Sequence, residues 1–169
     1  VNAVNDAATF VGATTKTGNE DTTITGKLTA TDTADGLTNA NFTVTGAASD
    51  GTATINATTG EWIYTPDANF NGTDSFTVTI TDDDGHQETQ NIDITVNAVN
   101  DAATFGGNIS GSGDEDTTIT GTLTASDSAD GLSNANFTVT ADGTNGSATI
   151  DATTGAWIYT PNTNFNGND

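Results

Sequence analysis

The chain repeats itself at a fixed spacing of 95 residues. Residues 1–10 read VNAVNDAATF, and residues 96–105 read the same ten letters. Carried forward without a gap, this register leaves about 70 % of the overlapping positions identical. A gapless repeat at domain length predicts a string of similar modules. Chains of this kind are usually made for length and multiplicity and seldom for one catalytic site.

The same register divides the chain. It predicts a linker at residues 1–6, a first module at residues 7–99 and a second module at residues 100–169. Two full copies of 95 residues would need 190, and the chain has 169. We therefore expect a truncated second module that lacks the counterparts of residues 75–95, which read as two core strands. The chain is then a window from a longer array, or its second module borrows strands from another molecule.

Apolar residues alternate with threonine in short runs throughout the chain. Trp62 and Tyr64 share one face of their run, and Phe76, Val78 and Ile80 share one face of theirs. This period of two predicts half-buried strands, with β-branched threonine on the solvent side. No helical periodicity is present. We predict an all-β chain of tandem immunoglobulin-like or cadherin-like β-sandwich modules, each with about seven short strands.

Turn-forming residues separate these runs. The segment NATTG at residues 56–60 predicts a hairpin between two short strands. Pro66 is predicted to end the strand that carries Trp62, because proline cannot donate to a central ladder.

The charge balance is strongly acidic and excludes several classes of partner. The chain has 2 Lys+Arg against 23 Asp+Glu, a net charge of −21. Nucleic acid is excluded because binding its phosphates needs clusters of basic residues. Membrane insertion is not predicted, since no apolar run reaches the roughly 18 residues that a spanning helix requires. The repulsion among the acids opposes compaction, and divalent cations are the simplest source of compensation.

The acidic residues gather in loops, which we expect to lie at the two ends of each sandwich. If the strands that begin at Ile24 and Phe76 run the same way, the two ends carry different acids. One end and the junction between the modules would collect Glu20, Asp21, Asp74, Asn100, Asp101, Asp127 and Asp130. The other end would collect Asp32, Asp35, Asp82, Asp83 and Asp84.

These clusters predict calcium as the cofactor. Calcium takes 6–8 oxygen ligands from carboxylates, amide carbonyls and water. Carboxylates brought this close without a cation would repel one another. We expect calcium ions between the modules, where they stiffen the joint. The alternative is that these loop acids are simply solvated.

Catalysis is not predicted. The chain has one histidine, His86, and no cysteine. It therefore offers no zinc set, and His86 is the only histidine that could act as the base in a nucleophilic mechanism. Trp62 and Tyr64 would suit a sugar-binding platform, but their alternation with threonine favours burial.

The repeat resembles a known family. The 95-residue period, the junction VNAVNDA, and the segments EDT, LTATDTADG, YTPDANFNGTDSFTVTITDDDG and IDITV are similar to the tandem-95 repeats. These are the cadherin-like (VCBS-type) modules of large bacterial surface adhesins, and the likeness covers essentially the whole chain. It implies an extracellular, calcium-loaded spacer on the bacterial cell surface, with roles in cell adhesion and biofilms. Calcium ions and neighbouring repeats are the implied partners.

The cadherin likeness also implies individual ligands. Asp32 and Asp127 match the first aspartate of the Asp-x-Asp calcium motif, and Glu20 and Glu115 match the glutamate before the second strand. The second aspartate of that motif falls on alanine in both copies, with an aspartate one residue further on.

We therefore expect a calcium-rigidified spacer that holds a distal binding domain away from the cell. Two alternatives stay open. The chain could be a filament subunit that associates with other copies of itself, its second module being completed by strand donation. It could also be a carbohydrate-binding sandwich, which exposed aromatic residues would favour.

Overall fold

A computed structural model describes residues 6–34, 36–38, 40–83 and 85–169. The chain forms two compact units, Val1–Val99 (unit 1) and Asn100–Asp169 (unit 2). Every regular element within the described ranges is a β-strand. The predicted all-β class and the immunoglobulin-like sandwich are confirmed.

Unit 1 is a sandwich of two four-stranded sheets. Its strands are β1 (Thr9–Gly12), β2 (Thr15–Asn19), β3 (Ile24–Thr31), β4 (Asn41–Gly46), β5 (Gly51–Ile55), β6 (Glu61–Pro66), β7 (Gly72–Thr81) and β8 (Gln87–Asn97). One sheet has the order β1-β3-β6-β5 and the other β2-β8-β7-β4. All neighbouring strands are antiparallel except β2 and β8, which are parallel.

The core of unit 1 lies between the two sheets and consists of the residues that alternation predicted. Trp62 and Tyr64 on β6 are fully buried, as are Leu28 on β3 and Phe76 on β7. The Trp62 ring meets the Phe76 ring edge-on with centroids 5.6 Å apart. The Tyr64 ring lies parallel to the Phe76 ring, with centroids 6.5 Å apart. Burying such large apolar surfaces is the main source of stability of a sandwich.

The predicted hairpin at residues 56–60 joins β5 to β6. Asn56 Oδ1 accepts hydrogen bonds from the backbone N–H groups of Thr58 (3.0 Å) and Thr59 (2.9 Å). Gly60 closes the turn with φ of +68°, a conformation that glycine adopts without strain. As predicted, β6 ends at Pro66.

Unit 2 contains one four-stranded sheet within residues 100–169, all of which the structure describes. Its strands are β9 (Thr104–Gly107), β10 (Ile119–Ser126), β11 (Gly146–Ile150) and β12 (Ala156–Pro161). The order β11-β12-β10-β9 reproduces the β5-β6-β3-β1 sheet of unit 1 at the 95-residue offset. The register is also the same, since Ile119 pairs with Tyr159 as Ile24 pairs with Tyr64.

The two copies of this sheet differ in how they are covered. In unit 1 the second sheet buries Leu28, Trp62 and Tyr64 completely. Their counterparts in unit 2 are only half-buried: Leu123, Trp157 and Tyr159. The counterparts of most of β7 and all of β8 fall beyond residue 169 in the repeat register.

Candidate functional site

The loop before β3 connects three segments at one end of unit 1. Asp21 Oδ1 accepts a hydrogen bond from Asn69 N (3.1 Å), which lies just before β7. Glu20 is 3 % exposed. Its carboxylate accepts from Asn71 Nδ2 (3.3 Å) and from Val99 N, which follows β8. The starts of β3 and β7 therefore lie at the same end of unit 1, as the assignment of acids to ends assumed.

The turn that contains Asp21 recurs in unit 2. Asp116 Oδ1 accepts from Asn164 N (2.8 Å), the counterpart of the Asp21–Asn69 bond. All four of these residues have φ between +55° and +59°. Aspartate and asparagine tolerate this left-handed conformation better than other residues with side chains. The repeated pair therefore has a structural role in the turn, and Asp21, which was predicted to bind metal, is one of its members.

The Asp74 carboxylate in unit 1 accepts four hydrogen bonds. Its Oδ1 accepts from Ser49 N (3.1 Å) and Ser75 N (2.7 Å), and its Oδ2 accepts from Asp50 N (2.9 Å) and the Tyr64 hydroxyl (2.8 Å). Burial raises the pKa of this carboxyl, but the four donors outweigh burial, so its pKa lies below the usual value. Four donors occupy the lone pairs of one carboxylate, and a metal would have to displace some of them.

Unit 2 repeats this arrangement, which we call the Tyr–Asp bridge in both units. Asp169 accepts from Thr144 N (2.8 Å), Asn145 N (2.9 Å) and the Tyr159 hydroxyl (2.6 Å). The hydrogen bond to Asp169 raises the pKa of Tyr159 to about 12, and the same bond lowers the pKa of Asp169. The Tyr–Asp bridge is present in both copies of the repeat, and it was not predicted from the sequence.

The loops after β3 and β7 meet at the opposite end of unit 1. Asp83 Oδ2 accepts from the backbone N–H of Thr38 (3.0 Å) and from its hydroxyl. Asp82 is 9 % exposed, and its Oδ1 accepts from His86 N (2.8 Å). Its Oδ2 lies 3.7 Å from His86 Nδ1. These contacts close the two loops on each other.

The remaining predicted ligands of this end are only partly described. Asp32 Oδ1 accepts from Ala34 N (3.0 Å), which closes a short turn after β3. Asp35 and Asp84 lie outside the described residues.

In unit 2 the structure brings together three of the predicted junction residues. The backbone N–H of Asp101 donates to Asp130 Oδ2 (2.6 Å). Asp127 Oδ1 accepts from the N–H groups of Ala129 (3.2 Å) and Asp130 (3.1 Å). The loop after β10 therefore folds back on the first residues of the unit. The side-chain amide of Asn100 donates to the Asp101 carbonyl oxygen (2.7 Å).

This Asp101–Asp127–Asp130 loop is not arranged as a finished metal site. Among the residues that the structure describes, no three acidic or histidine side chains are positioned to hold one metal ion. Backbone N–H groups connect Asp101 to Asp130 and Asp130 to Asp127, and carboxylate oxygens of this kind are ligands that calcium prefers. The calcium site stays a prediction.

His86 is the single histidine of the chain, and its Nδ1 lies 3.7 Å from Asp82 Oδ2. No helix in the described ranges is long and apolar enough to span a bilayer.

Comparison with known proteins identifies the repeated module. A family model described as "Bacterial Ig domain" matches residues 5–95 and again residues 100–169. No curated protein sequence matches the chain. The crystal structure of the human desmocollin-1 ectodomain is similar with a TM-score of 0.42 and 16 % sequence identity. That match covers 92 % of this chain and 31 % of the desmocollin chain.

Domains of the matched family are typically non-enzymatic and structural, and they usually occur in surface proteins. The two family matches follow the 95-residue register and together cover nearly all of the sequence. The chain therefore belongs to the bacterial Ig domain family, as two consecutive modules.

Proposed function

We propose that the chain is a spacer segment of a bacterial surface adhesin, built from modules of the tandem-95 type. The observation that carries this proposal is the repetition of structural devices at one fixed offset. The Tyr–Asp bridge, the Asp–Asn turn pair and the glycine turn after β5 all recur 95 residues later. A series of such modules gains length with each copy while each copy keeps the same internal geometry.

The burial of the aromatic residues supports a spacer over a sugar-binding module. Trp62 and Tyr64 are fully buried in the closed sandwich of unit 1. A sugar platform needs an exposed aromatic face, so this unit does not offer one there. The net charge of −21 suits an extracellular array, because mutual repulsion keeps neighbouring molecules soluble and apart.

Calcium is the second part of the proposal. The Asp101–Asp127–Asp130 loop of unit 2 is the set that we propose binds calcium, with water and backbone oxygens completing the 6–8 ligands. Bound there, the ion would neutralise these three carboxylates and restrict the residues by which the chain enters the unit. In unit 1 the counterparts of these residues are Asp6, Asp32 and Asp35.

The spacer is tested by measuring length against copy number. Arrays of two, four and six copies of residues 1–95 would be compared by small-angle X-ray scattering. A spacer adds a constant increment to the maximum dimension per module. A dimension that does not grow with copy number contradicts the proposal, and concentration-dependent assembly in light scattering favours the filament alternative.

Calcium is tested separately by thermal unfolding of the 169-residue chain. Any cation screens a polyanion, so calcium is compared with magnesium and sodium at equal ionic strength. Specific binding to the folded state adds about 2.7 kcal/mol when calcium exceeds its dissociation constant 100-fold. We expect the combined variant D101N, D127N and D130N to lose this gain.

A matched control removes three acids outside that loop, in the variant E61Q, D67N and D93N. It should retain the calcium effect, because it removes the same charge from other positions. Equal stabilisation by calcium in both variants contradicts the proposed site.

A further inference from the structure

The buried carboxylate of Glu20 holds the residues by which the chain leaves unit 1. Glu20 follows β2 directly and is 3 % exposed. Its own N–H donates to the carbonyl oxygen of Asn97 (3.0 Å), the last residue of β8. Its carboxylate accepts from the N–H of Val99 and from Asn71 Nδ2 (3.3 Å). One residue therefore connects the end of β2, the end of β8, the chain beyond β8 and the start of β7.

The bond to Val99 is the part of this arrangement that holds chain outside the sheets. Val99 lies two residues beyond the end of β8, and its side chain is 44 % exposed. Apolar packing therefore does little to fix it. A carboxylate that accepts from a backbone N–H makes a charge-assisted hydrogen bond, which is roughly twice as strong as a neutral one. The exit of the chain is thus fixed by a hydrogen bond to a buried acid.

The strand that ends at this exit is paired in parallel with a strand near the entrance. β2 and β8 pair in register from Thr15–Asp93 to Asn19–Asn97. The Asp93 N–H also donates to Thr14 O (3.0 Å), which extends the ladder at its other end. Tension along the chain pulls β2 toward its first residue and β8 toward its last. Because the strands are parallel, these pulls oppose each other along one axis, and all the evenly spaced hydrogen bonds are strained together.

We infer that Glu20 is a mechanical latch. By fixing Val99 it keeps tension directed along β8, so that the β2–β8 ladder is loaded in shear. Without the latch, tension would lift β8 from its end at Asn97 and break the hydrogen bonds one after another. Glu20 acts here as a positioning residue for the exit of the chain.

The latch deepens the proposed function, and its use in a surface protein rests on the spacer proposal. The latch itself is a property of unit 1. It would stand even if the length of an array did not grow with copy number, so the two proposals fail separately. It also needs no calcium, since both donors to the carboxylate are protein groups.

The experiment measures the unfolding rate of unit 1 at one fixed force in an optical trap. The full 169-residue chain has no cysteine, so handles can be attached at the single pair A7C and A102C. These two alanines occupy the same position in successive repeats, and both are exposed. The measurements are made with excess EDTA, so that any effect is independent of calcium.

The decisive comparison is V99P against V99A. Proline removes the N–H that donates to Glu20, whereas alanine keeps it and removes only the exposed side chain. We expect V99P to unfold about tenfold faster than V99A under tension, since forced unfolding follows the unfolding barrier and the lost bond has a charged acceptor. E20Q tests the latch from the side of the acid, because it removes the charge and one acceptor oxygen, and it should also accelerate unfolding.

A second pulling geometry separates a latch from a bond that merely stabilises the fold. Handles at A7C and T58C apply force through the exposed turn between β5 and β6 and leave the exit of the chain without tension. In this geometry the unfolding rates of V99P and V99A should differ much less. Their rates of unfolding in urea should also differ much less.

Three outcomes overturn the inference. One is an equal unfolding rate of V99P and V99A when force is applied through residues 7 and 102. The second is the same acceleration in both pulling geometries, which would make the bond an ordinary stabilising contact. The third is an effect of E20Q that appears only when calcium replaces EDTA, which would make Glu20 a metal ligand.

Discussion

At the scale of single residues, one carboxylate links three segments of unit 1. Asp74 binds β6 through the Tyr64 hydroxyl, the residues before β5 through two backbone N–H groups, and its own strand through Ser75 N. Hydrogen bonds to a charged acceptor contribute about 1.5–3 kcal/mol each, and donors left without an acceptor cost more than the bond itself contributed. Loss of this carboxylate should therefore destabilise unit 1 measurably.

We predict that D74N lowers the free energy of unfolding of unit 1 by about 3 kcal/mol at pH 7, because an amide nitrogen would face backbone donors. The pKa of Asp74 is depressed in the folded state. Its stabilising effect is therefore complete above the unfolded value of about 4 and is lost as the pH falls through the folded value. The difference between wild type and D74N should shrink on acidification.

Urea unfolding of both proteins from pH 7 to pH 2 measures this difference. D67N is the matched control, since the second module has Asn162 at that position and the hydrogen bonds of residue 67 to Asp50 and Phe70 are made by its backbone. Two results would contradict a stabilising role of the Tyr–Asp bridge. One is a loss of unfolding free energy in D67N equal to that in D74N, and the other is a loss in D74N that does not change with pH.

The positions of the acids were predictable from the sequence, but their partners were not. Alternation fixed which loops share an end of the sandwich, and the contacts of Asp21 and Asp83 agree with that assignment. Half of the six donors to Glu20 and Asp74 are backbone N–H groups of distant segments. A backbone N–H is present at every residue except proline, so no side-chain pattern reveals which one a carboxylate will meet.

At the scale of elements, the clearest lesson is that one sequence forms a strand in one unit and not in the other. NFTVT belongs to β4 in unit 1, where it pairs with β7, and it is irregular at residues 136–140. Local propensity is identical in the two copies, so the neighbouring strand decides the outcome. Sequence alternation therefore predicts which residues can form a buried strand, but the pairing partner determines whether they do.

The edge strands β1 and β2 could not be predicted from alternation of apolar residues. The segments TFVG of β1 and TKTGN of β2 contain no buried residue, so no alternation marks them. β2 is a strand because it pairs in parallel with β8, more than 70 residues later in the chain. A pairing over such a separation leaves no local signal.

The turn between β5 and β6 gives a prediction about an element. A Cβ on Gly60 would collide with the Leu28 carbonyl oxygen, and its φ of +68° also disfavours alanine. We expect G60A to destabilise unit 1 by about 3 kcal/mol, since the left-handed strain and the clash both contribute. Chemical unfolding followed by tryptophan fluorescence measures the cost.

G85A is the matched control for this turn. Gly85 has φ of +87°, and nothing lies within 4 Å of a Cβ built there. G85A should therefore show the left-handed strain alone, about 1–2 kcal/mol. Equal losses of unfolding free energy in G60A and G85A would mean that the contact with Leu28 relaxes without destabilising unit 1.

At the scale of the whole molecule, the two units differ in how much apolar surface they bury. Among the described residues, unit 1 has twelve buried apolar side chains, and Phe137 is the only one in unit 2. Apolar burial contributes about 25 cal/mol per Å², so the sandwich should be far more stable than the single sheet. Within these 169 residues, most of the buried apolar core therefore belongs to unit 1.

This difference predicts two unfolding steps, with unit 2 melting first and less cooperatively. Trp62 is fully buried and Trp157 is half-buried, so acrylamide should quench two classes of tryptophan in the native chain. In W157F only the protected class should remain, and the first melting step should lose its fluorescence signal. If the remaining tryptophan were quenched as readily as the average of the native chain, Trp62 would not be enclosed. A single cooperative transition would mean that the two units are stabilised by each other.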